Sequence, residues 1–222
     1  MADESALRRE MIEVGRRLAA RGLVAASDGN LSCRAGAKRL LITARGAYLG
    51  ELEEDQIVAV DPAGRPLHVG TEPSSEIALH LEVYQVRPEV GAAVHAHPPN
   101  ATAFSYAGVS LAEPVIPEVV ATLGGIPTAQ YATPSSEEGP TAIRDLIRTC
   151  DALVLERHGA LTVGGTLREA YYRMEKVEHA AQVLLIARQL GGARRLSADE
   201  LSRLERMCRR LGLRWRGPAS ES

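Results

Sequence analysis

Short apolar runs alternate with helix-like segments through the middle of the chain, and this alternation limits the fold more than any other feature. The runs GAAVHAH at 91–97, IPTAQYA at 126–132 and ALVLER at 152–157 predict strands. The segments 100–107 and 137–149 between them predict helices. Each element can bury its apolar side only against another layer, so this order predicts a layered α/β domain.

Further helices and strands are predicted on both sides of this region. Apolar residues at spacings of three and four indicate helices, and short apolar runs bounded by glycine and proline indicate strands. By these signals the helices cover 4–21, 73–86, 167–190 and 198–211, and the strands cover 40–43, 57–60 and 161–163. The strands at 40–43 and 57–60 are predicted to be antiparallel, because a turn-rich segment joins them.

The composition excludes several classes of protein. A chain of 222 residues, 45% of them hydrophobic, can build one sizeable core, and neither a linker nor a repeat divides it. It has no run of the roughly 20 apolar residues that a membrane helix needs and no secretory signal, so we expect a cytoplasmic protein without a membrane partner. A net charge of −2 without a basic stripe argues against binding to nucleic acid.

Lysine and cysteine offer little chemistry. Only Lys38 and Lys176 are available for an imine mechanism, and surface charge is the favoured interpretation of both. The three cysteines lie far apart without a CxxC pair, which is typical of free thiols in a reducing compartment. A bound metal would therefore have histidine and carboxylate ligands.

His95 and His97 form an HxH pair at the end of a predicted strand. Residues two apart project from the same face of a strand, so both imidazoles can reach one ion. The pair alone is equally compatible with two unrelated polar residues at a strand end. His158 also follows an apolar strand and precedes Gly159, which permits a tight turn. Three neutral imidazoles with an open fourth position are a common catalytic zinc arrangement, but spacing does not place His158 near the pair.

Ser74, Ser75 and Glu76 open a predicted helix, and two interpretations remain open. The first is a capping motif in which the acid also stabilises the helix dipole. The second is an anion site of hydroxyls and free backbone N–H groups, next to a carboxylate that could work as a base. The segment SDGNLSCR at 27–34, taken alone, is a turn. His80 is interpreted as a hydrogen-bonded or partly buried helical histidine.

Five motifs occur in an order that resembles one known family. They are DGNLSCR, LITARG, EPSSEIALH, VHAHPP and LVLERHGALTVGG. On these motifs the sequence is identified as a member of the class II aldolase and adducin-head family. The resemblance implies a three-layer α/β/α single domain over 1–213 with a mainly antiparallel central sheet, and a homotetramer with sites between subunits. Residues 214–222 are predicted to form a flexible tail.

The resemblance also implies the roles of site residues. His95, His97 and His158 correspond to ligands of zinc, or of another divalent metal, and Glu76 corresponds to the catalytic acid/base that also occupies the open coordination position. The positions implied for the substrate phosphate are Ser27, Asn30, Gly46, Ser74 and Ser75, with Gly29 in the same turn. The implied reaction is reversible cleavage of a ketose 1-phosphate to dihydroxyacetone phosphate and an aldehyde. In the implied reaction zinc would stabilise the enediolate and the carboxylate would move the proton, so no lysine would be needed.

Three positions depart from the family pattern. Arg45 stands where a small hydroxyl residue is more common; it could strengthen phosphate binding, select a carboxylate substrate or point to solvent. Glu118 stands where fuculose-phosphate aldolases have a catalytic tyrosine from the neighbouring subunit. Its carboxyl group could replace the phenol as proton donor if burial raises its pKa. Leu211 replaces a C-terminal tyrosine of those enzymes. These changes affect the region that contacts the aldehyde part of the substrate.

Other functions remain open. A decarboxylase, dehydratase or epimerase of the same family, acting on a sugar-acid or ketose phosphate, would use the same stabilised enolate. A non-catalytic interaction module like the adducin head is disfavoured, because a scaffold has no chemical reason to keep Glu76 and all three histidines. A zinc hydrolase is disfavoured because the histidines lack an HExxH arrangement.

Overall fold

Seven strands form one sheet at the centre of the computed structural model, which describes residues 3–218. They are β1 Asn30–Gly36, β2 Arg39–Thr43, β3 Ile57–Val60, β4 Ala92–Ala96, β5 Thr128–Ala129, β6 Ala152–Leu155 and β7 Gly159–Gly164. Their order across the sheet is β3-β2-β1-β4-β7-β6-β5. Only β5 and β6 pair in parallel among these described strands, so the mainly antiparallel sheet is confirmed.

Helices cover both faces of the sheet. They are α1 Glu4–Ala20, α2 Ile77–Val86, α3 Pro99–Tyr106, α4 Pro117–Leu123, α5 Glu138–Ile147, α6 Leu167–Gln189 and α7 Ala198–Arg210. None of the described helices is long and apolar enough to cross a membrane.

The alternation of side chains along β1 and β7 shows which helix covers which face. Cys33 of β1 lies against Met11 of α1, and the Thr162 hydroxyl of β7 donates to a backbone carbonyl of α6. Strand register places these two residues on the same face of the sheet. Ser32 points to the opposite face, where its hydroxyl bonds His80 of α2. The expected three-layer α/β/α arrangement follows from this division.

Most predicted elements are confirmed, with small differences at their ends. The helix predicted over 4–21 is α1, whose Met11, Val14 and Leu18 are buried. Gly22 follows it with a φ of +66°, a left-handed conformation that glycine adopts at a helix end. The strands β2 and β3 are antiparallel neighbours, as predicted.

The segment interpreted as a turn, 27–34, is a turn only in its first half, because β1 begins at Asn30. Asn30 and Ser32 are polar but buried, and their side chains bond groups on α2. The intervening Leu31 points to the opposite, apolar layer. Buried polar side chains on one face conceal the alternation that marks a strand.

The helix α2 begins at Ile77, later than the start predicted within 73–76. Glu76 occupies the N-cap position but makes no capping bond with its side chain. The Ser74 hydroxyl instead accepts a hydrogen bond from the Glu76 N–H, at 3.2 Å. The carboxylate is therefore available to other partners.

Two elements around 117–132 also differ from the prediction. β5 covers only Thr128–Ala129, because the N–H of Tyr131 bonds the Glu156 carboxylate instead of a neighbouring strand. The helix α4, which begins at Pro117, was not predicted. Proline at the first position of a helix is a common start signal, but a seven-residue helix carries little periodicity.

The C-terminal segment lies against the domain through Arg216, which pairs with the buried carboxylate of Asp151. Arg87 and Arg173 contact the same carboxylate at 2.7 and 3.0 Å. Residues 219–222 lie outside the described residues, and the flexible tail stays a prediction.

Candidate metal centre and active site

Three histidine side chains meet at one end of the central sheet. His95 is in β4, His97 is in the loop directly after β4, and His158 is in the turn between β6 and β7. Their ring centroids are 4.7, 5.0 and 5.0 Å apart. One nitrogen of each ring lies within 4.8 Å of the others. The structure therefore brings together the three histidines of the predicted metal site.

Two glycines permit the close backbone packing around these rings. A Cβ atom at Gly159 would lie 2.5 Å from the carbonyl oxygen of Ala96 and 2.8 Å from the His97 ring. A Cβ atom at Gly29 would lie 2.9 Å from the His95 carbonyl oxygen. Side chains at either position would push a loop away from β4, so both glycines are needed for packing. Gly29, with a φ of +82°, is needed for turning the chain as well.

The turn that carries His158 contains a strained residue. Arg157 has a φ of +56°, which is uncommon for a residue with a side chain. Its N–H donates to the Ser105 hydroxyl at 3.0 Å, and its carbonyl accepts from the Tyr106 hydroxyl at 3.1 Å. Both partners belong to α3, so this helix fixes the turn that presents the third imidazole.

The imidazole nitrogens are oriented for a shared ion. The Nδ1 of His95 is 3.0 Å from the Ala160 carbonyl and must donate to it, which leaves the Nε2 lone pair for a ligand. This Nε2 is 3.1 Å from the Nε2 of His97, whose Nδ1 in turn lies 3.6 Å from a carboxylate oxygen of Asp28. In both rings the Nε2 atom thus faces the centre of the cluster, where an ion could bind, and the Nδ1 atom faces a protein oxygen.

Glu76 completes the cluster. Its Oε2 lies 3.2 Å from the Nε2 of His95, and its Oε1 lies 3.4 Å from the Nε2 of His158. The side-chain amide of Asn30 donates to Oε2 at 2.8 Å. Burial alone would raise the pKa of Glu76, but His95, the hydrogen bond from Asn30 and His158 outweigh burial and hold this pKa well below its usual range.

The neighbouring imidazoles are biased toward the neutral form. Burial, and then the His95 ring, lowers the pKa of His97 and of His158 to about 4. At neutral pH the site therefore offers unprotonated nitrogens and an ionised carboxylate. This donor set fits a divalent cation, which neutral imidazole and carboxylate ligands bind well.

The residues predicted to bind phosphate line one cleft beside this cluster. They are Ser27, Gly29, Asn30, Arg45, Gly46, Ser74 and Ser75, and Glu76, His97 and His158 lie on the same cleft. The Ser74 N–H donates to the Thr43 carbonyl at 3.0 Å, which joins the start of α2 to the end of β2. The cleft therefore unites residues of all five motifs.

Arg45 lies at the exposed rim of the cleft. Its side chain is 70% exposed, and its guanidinium is 3.5 Å from the Glu72 carboxylate. The Arg45 N–H also donates to the Glu72 carbonyl, at 3.0 Å. This rim position leaves the guanidinium within the reach of an incoming anion and of solvent.

Ser135 and Asp28 belong to the cleft but were not predicted as site residues. The Ser135 hydroxyl donates to the Ser75 hydroxyl at 2.9 Å, and Ser135 has a φ of +61°. A serine-rich turn before α5 was the available signal, but it indicates no particular partner. Asp28 stands within the recognised DGNLSCR motif, where the sequence does not show that its carboxylate faces His97.

Glu118 lies apart from this cleft within the protomer. It is exposed in the first turn of α4 and interacts electrostatically with Lys176 of α6. Among residues 3–218, the lining of the cleft includes neither Glu118 nor a lysine. The predicted catalytic role of Glu118 involves a neighbouring subunit, and it stays a prediction.

The fold and the site together define a class of protein: a three-layer α/β domain that presents three imidazoles and a carboxylate beside a hydroxyl-lined cleft, as metal-dependent enzymes do. The family model for the Class II Aldolase and Adducin N-terminal domain matches residues 9–185, and the chain belongs to this family. The resemblance drawn from the five motifs is thereby confirmed.

Relatives within this family have several named activities. The chain is 32% identical over 210 residues to 3-oxo-tetronate 4-phosphate decarboxylase from Pectobacterium atrosepticum, covering 92% of this chain and 94% of that protein. It is 35% identical over 177 residues to L-fuculose phosphate aldolase from Methanococcus vannielii, covering 79% of this chain and 93% of that protein. A solved structure of L-fuculose 1-phosphate aldolase superposes with a TM-score of 0.85 at 28% identity, covering 96% of this chain and 99% of that one.

Proposed function

We propose that the protein is a metal-dependent lyase that acts on a phosphorylated sugar or sugar acid and breaks the bond between the α and β carbons of its carbonyl group. Its leading reaction is reversible aldol cleavage of a ketose 1-phosphate to dihydroxyacetone phosphate and an aldehyde. The observation that carries this proposal is the position of the Glu76 carboxylate, 3.2 and 3.4 Å from the ring nitrogens of His95 and His158. A base at the edge of a metal centre can move a proton on the carbon beside a polarised carbonyl.

The three histidines would hold the metal. Zinc is the first choice, and another divalent cation also fits a set of imidazole and carboxylate donors. When bound, the metal supplies Lewis-acid polarisation of the substrate carbonyl. The chain supplies the rest: the Ala160 carbonyl orients His95, and Glu76 accepts and returns the proton.

The phosphate group would bind in the hydroxyl-lined part of the cleft. Ser27, Ser74 and Ser75 offer hydroxyls, and the turn at Gly46 and the start of α2 offer backbone N–H groups. Asn30 already uses one amide hydrogen on Glu76 and has a second one for a substrate oxygen. Binding the phosphate here would place the sugar carbonyl beside the histidines.

Aldol cleavage and decarboxylation converge on one intermediate. Cleavage of a ketose 1-phosphate between C3 and C4 releases an aldehyde and leaves the enediolate of dihydroxyacetone phosphate. Loss of carbon dioxide from C1 of 3-oxo-tetronate 4-phosphate leaves the same enediolate, because C2 then carries the electron pair beside the C3 carbonyl. Glu76, after taking up a proton from water, would protonate this enediolate and give dihydroxyacetone phosphate in both reactions.

The two reactions differ in the group that departs. Aldol cleavage must also remove the hydroxyl proton from the carbon that becomes the aldehyde, and Glu118 of a neighbouring subunit is the predicted group for that step. Decarboxylation needs no second base. The exposed position of Glu118 in the protomer and the decarboxylase relative, aligned over 92% of the chain, make a decarboxylase the second candidate. A dehydratase or epimerase would use the same metal centre and base.

Hydrogen exchange tests the step that both candidates share. The zinc-loaded protein, incubated with dihydroxyacetone phosphate in deuterium oxide, is expected to replace one hydrogen on the hydroxyl-bearing carbon. Proton NMR would follow the loss of this signal. A wild-type protein that gives no exchange above the uncatalysed rate would refute the proposal.

A substrate panel then separates the two candidates. L-fuculose 1-phosphate and 3-oxo-tetronate 4-phosphate would be incubated separately with the zinc-loaded protein, and the products identified by mass. Formation of dihydroxyacetone phosphate with an aldehyde supports the aldolase, and its formation with carbon dioxide supports the decarboxylase. The homotetramer and the cytoplasmic location remain predictions, and light scattering on the full chain tests the first of them.

A further inference from the structure

A series of hydrogen-bonded, buried polar side chains runs from Tyr84, in the last turn of α2, to the Glu76 carboxylate. The Tyr84 hydroxyl lies 2.8 Å from the Ser32 hydroxyl, which lies 2.6 Å from Nδ1 of His80. The Nε2 of His80 lies 2.5 Å from the side-chain oxygen of Asn30, whose amide nitrogen lies 2.8 Å from Oε2 of Glu76. The four residues behind Glu76 are only 1 to 6% exposed, so water does not compete for these bonds.

The direction of every hydrogen bond in this series follows from the groups at its two ends, Glu76 and Tyr84. An ionised carboxylate can only accept, so Asn30 must turn its NH₂ group toward Glu76 and its carbonyl oxygen toward His80. The Nε2 of His80 must then carry the proton, and the unprotonated Nδ1 accepts from the Ser32 hydroxyl. Ser32 in turn accepts from the Tyr84 hydroxyl.

The pKa shifts of His80 and Tyr84 agree with these hydrogen-bond directions. Burial lowers the pKa of His80 to about 3, which keeps the ring neutral with a single N–H. Burial raises the pKa of Tyr84, which keeps its hydroxyl protonated as a donor. Near neutral pH, neither side chain can therefore reverse the direction of its hydrogen bonds.

The Asn30 amide needs such a constraint because its two ends have nearly the same shape. Rotated by half a turn, it would set its carbonyl oxygen against the Glu76 carboxylate and repel it. The N–H of His80 opposes this rotation, since it requires an acceptor on the Asn30 side. An apolar side chain at position 80 would leave the orientation of the amide to Glu76 alone.

We infer that His80 is a positioning residue for the proposed reaction: it fixes the Asn30 amide, which holds Glu76 beside His95 in the geometry for proton transfer, and Ser32 and Tyr84 select the tautomer of His80 that can do so. This inference rests on the proposed function, because Glu76 is the base of that reaction. The nature of the sugar substrate does not enter it.

Two substitutions at position 80 separate positioning from simple filling of space. His80→Gln keeps an N–H donor for Asn30, whereas His80→Leu keeps a similar volume without a donor. In the exchange of dihydroxyacetone phosphate in deuterium oxide, His80→Leu is expected to lower kcat roughly tenfold or more, with little change in KM. His80→Gln is expected to stay within about threefold of the wild type. Equal rates for the two variants, both high or both low, would overturn the inference.

Zinc binding provides the control for an intact centre. The three histidine ligands are unchanged in both variants, so zinc titrations of the two proteins are expected to agree within about threefold. If His80→Leu does not fold, Ser32→Ala replaces it as the test, because it removes the donor to Nδ1 without contacting Asn30 or Glu76. Ser32→Ala is expected to slow exchange in the same direction, and a fully wild-type rate would count against the inference.

A spectroscopic measurement tests the bond directions without activity. In metal-free full-length protein with ¹⁵N-labelled histidine, the His80 ring is expected in the Nε2–H form, and its signals are identified by their absence in His80→Gln. An Nδ1–H form or a charged ring near pH 7 would overturn the inference. A wild-type protein that lacks exchange but shows the Nε2–H form would instead refute the proposed function while leaving the bond directions correct.

Discussion

The Oε2 atom of Glu76 lies 3.2 Å from the Nε2 atom of His95, so the proposed base and a proposed metal ligand face the same small volume. The three histidines would hold the metal, and a substrate oxygen that enters this volume would take the place of the carboxylate. The carboxylate would then stand beside the substrate carbon, where it could take the proton. One side chain would therefore serve both the resting site and the proposed chemical step.

Substitution of this carboxylate is expected to stop proton transfer. Glu76→Gln keeps the shape of the side chain but removes the base, and exchange into dihydroxyacetone phosphate should fall about 10²- to 10⁴-fold. The fold should persist by circular dichroism. Glu72→Gln changes an exposed carboxylate outside the cleft lining, near Arg45; it is the matched control and should exchange at nearly the wild-type rate. Exchange by Glu76→Gln at the wild-type rate would remove Glu76 as the base.

Loss of one imidazole is expected to empty the metal centre. His95→Ala removes a completely buried ligand whose other nitrogen is held by Ala160, and zinc per protomer after dialysis should fall to background. Elemental analysis measures this directly. His68→Ala changes an exposed histidine outside the cluster and should keep the wild-type zinc content. Undiminished zinc in His95→Ala would contradict the ligand assignment.

Glu118 is expected to act on the site of a neighbouring subunit. Glu118→Gln should slow aldol cleavage about 10- to 100-fold, if aldol cleavage is the reaction, and leave hydrogen exchange unchanged. Subunits of Glu118→Gln and Glu76→Gln, mixed in equal amounts and reassembled, should regain activity, since about a quarter of all sites would carry both native carboxylates. Mixing without any regain, or cleavage by Glu118→Gln at the wild-type rate, would exclude this role.

Acid is expected to destabilise the protein partly through His80. Its pKa is lowered from 6.5 to about 3 in the folded state, so the unfolded state binds the proton more readily. Stability from this group is complete above pH 6.5 and is lost as the pH falls toward 3. When the pH is lowered from 7 to 5, the unfolding free energy of both metal-free proteins should fall. The fall should be about 2 kcal/mol smaller for His80→Gln than for the wild type. Urea titrations at both pH values measure the difference; an identical loss would argue against a neutral buried ring.

The carboxylate of Asp151 is expected to anchor the C-terminal segment. It is 1% exposed and contacts Arg87, Arg173 and Arg216, so Asp151→Asn would remove the buried negative charge that these three guanidinium groups share. A loss of about 3–5 kcal/mol in unfolding free energy should follow. The control Asp145→Asn alters a fully exposed carboxylate and should change stability by less than about 0.5 kcal/mol.

The sequence predicts the local parts of this site better than its assembly. The HxH spacing identifies His95 and His97, because a strand repeats every two residues. The approach of His158 depends on the pairing of β4 with β7, and residues more than 60 positions apart give no spacing signal. The family resemblance, and not the spacing, predicted that His158 lies near His95 and His97.

Buried polar residues are the main source of error in predicting this fold from the sequence. Asn30 and Ser32 suggest a turn in the sequence, but β1 tolerates them because His80 and Glu76 satisfy their polar atoms. His80 itself was expected to be a hydrogen-bonded helical histidine, and it is one. Its partners lie 48 and 50 residues away along the chain, so only the packed structure shows that its bonds lead to Glu76.

Asn30 and His95 are direct register partners across β1 and β4, and this pairing links the accuracy of folding to the chemistry. A slip of one residue in either strand would turn that strand's polar group into the apolar layer beneath α1 and α6. Such a misfolded molecule would keep most of its helices but lose either a proposed metal ligand or the partner of Glu76. The displaced side chain would also destabilise it, because it would be buried there without a hydrogen bond. The residues proposed to serve the reaction therefore also select the correct alignment of the sheet.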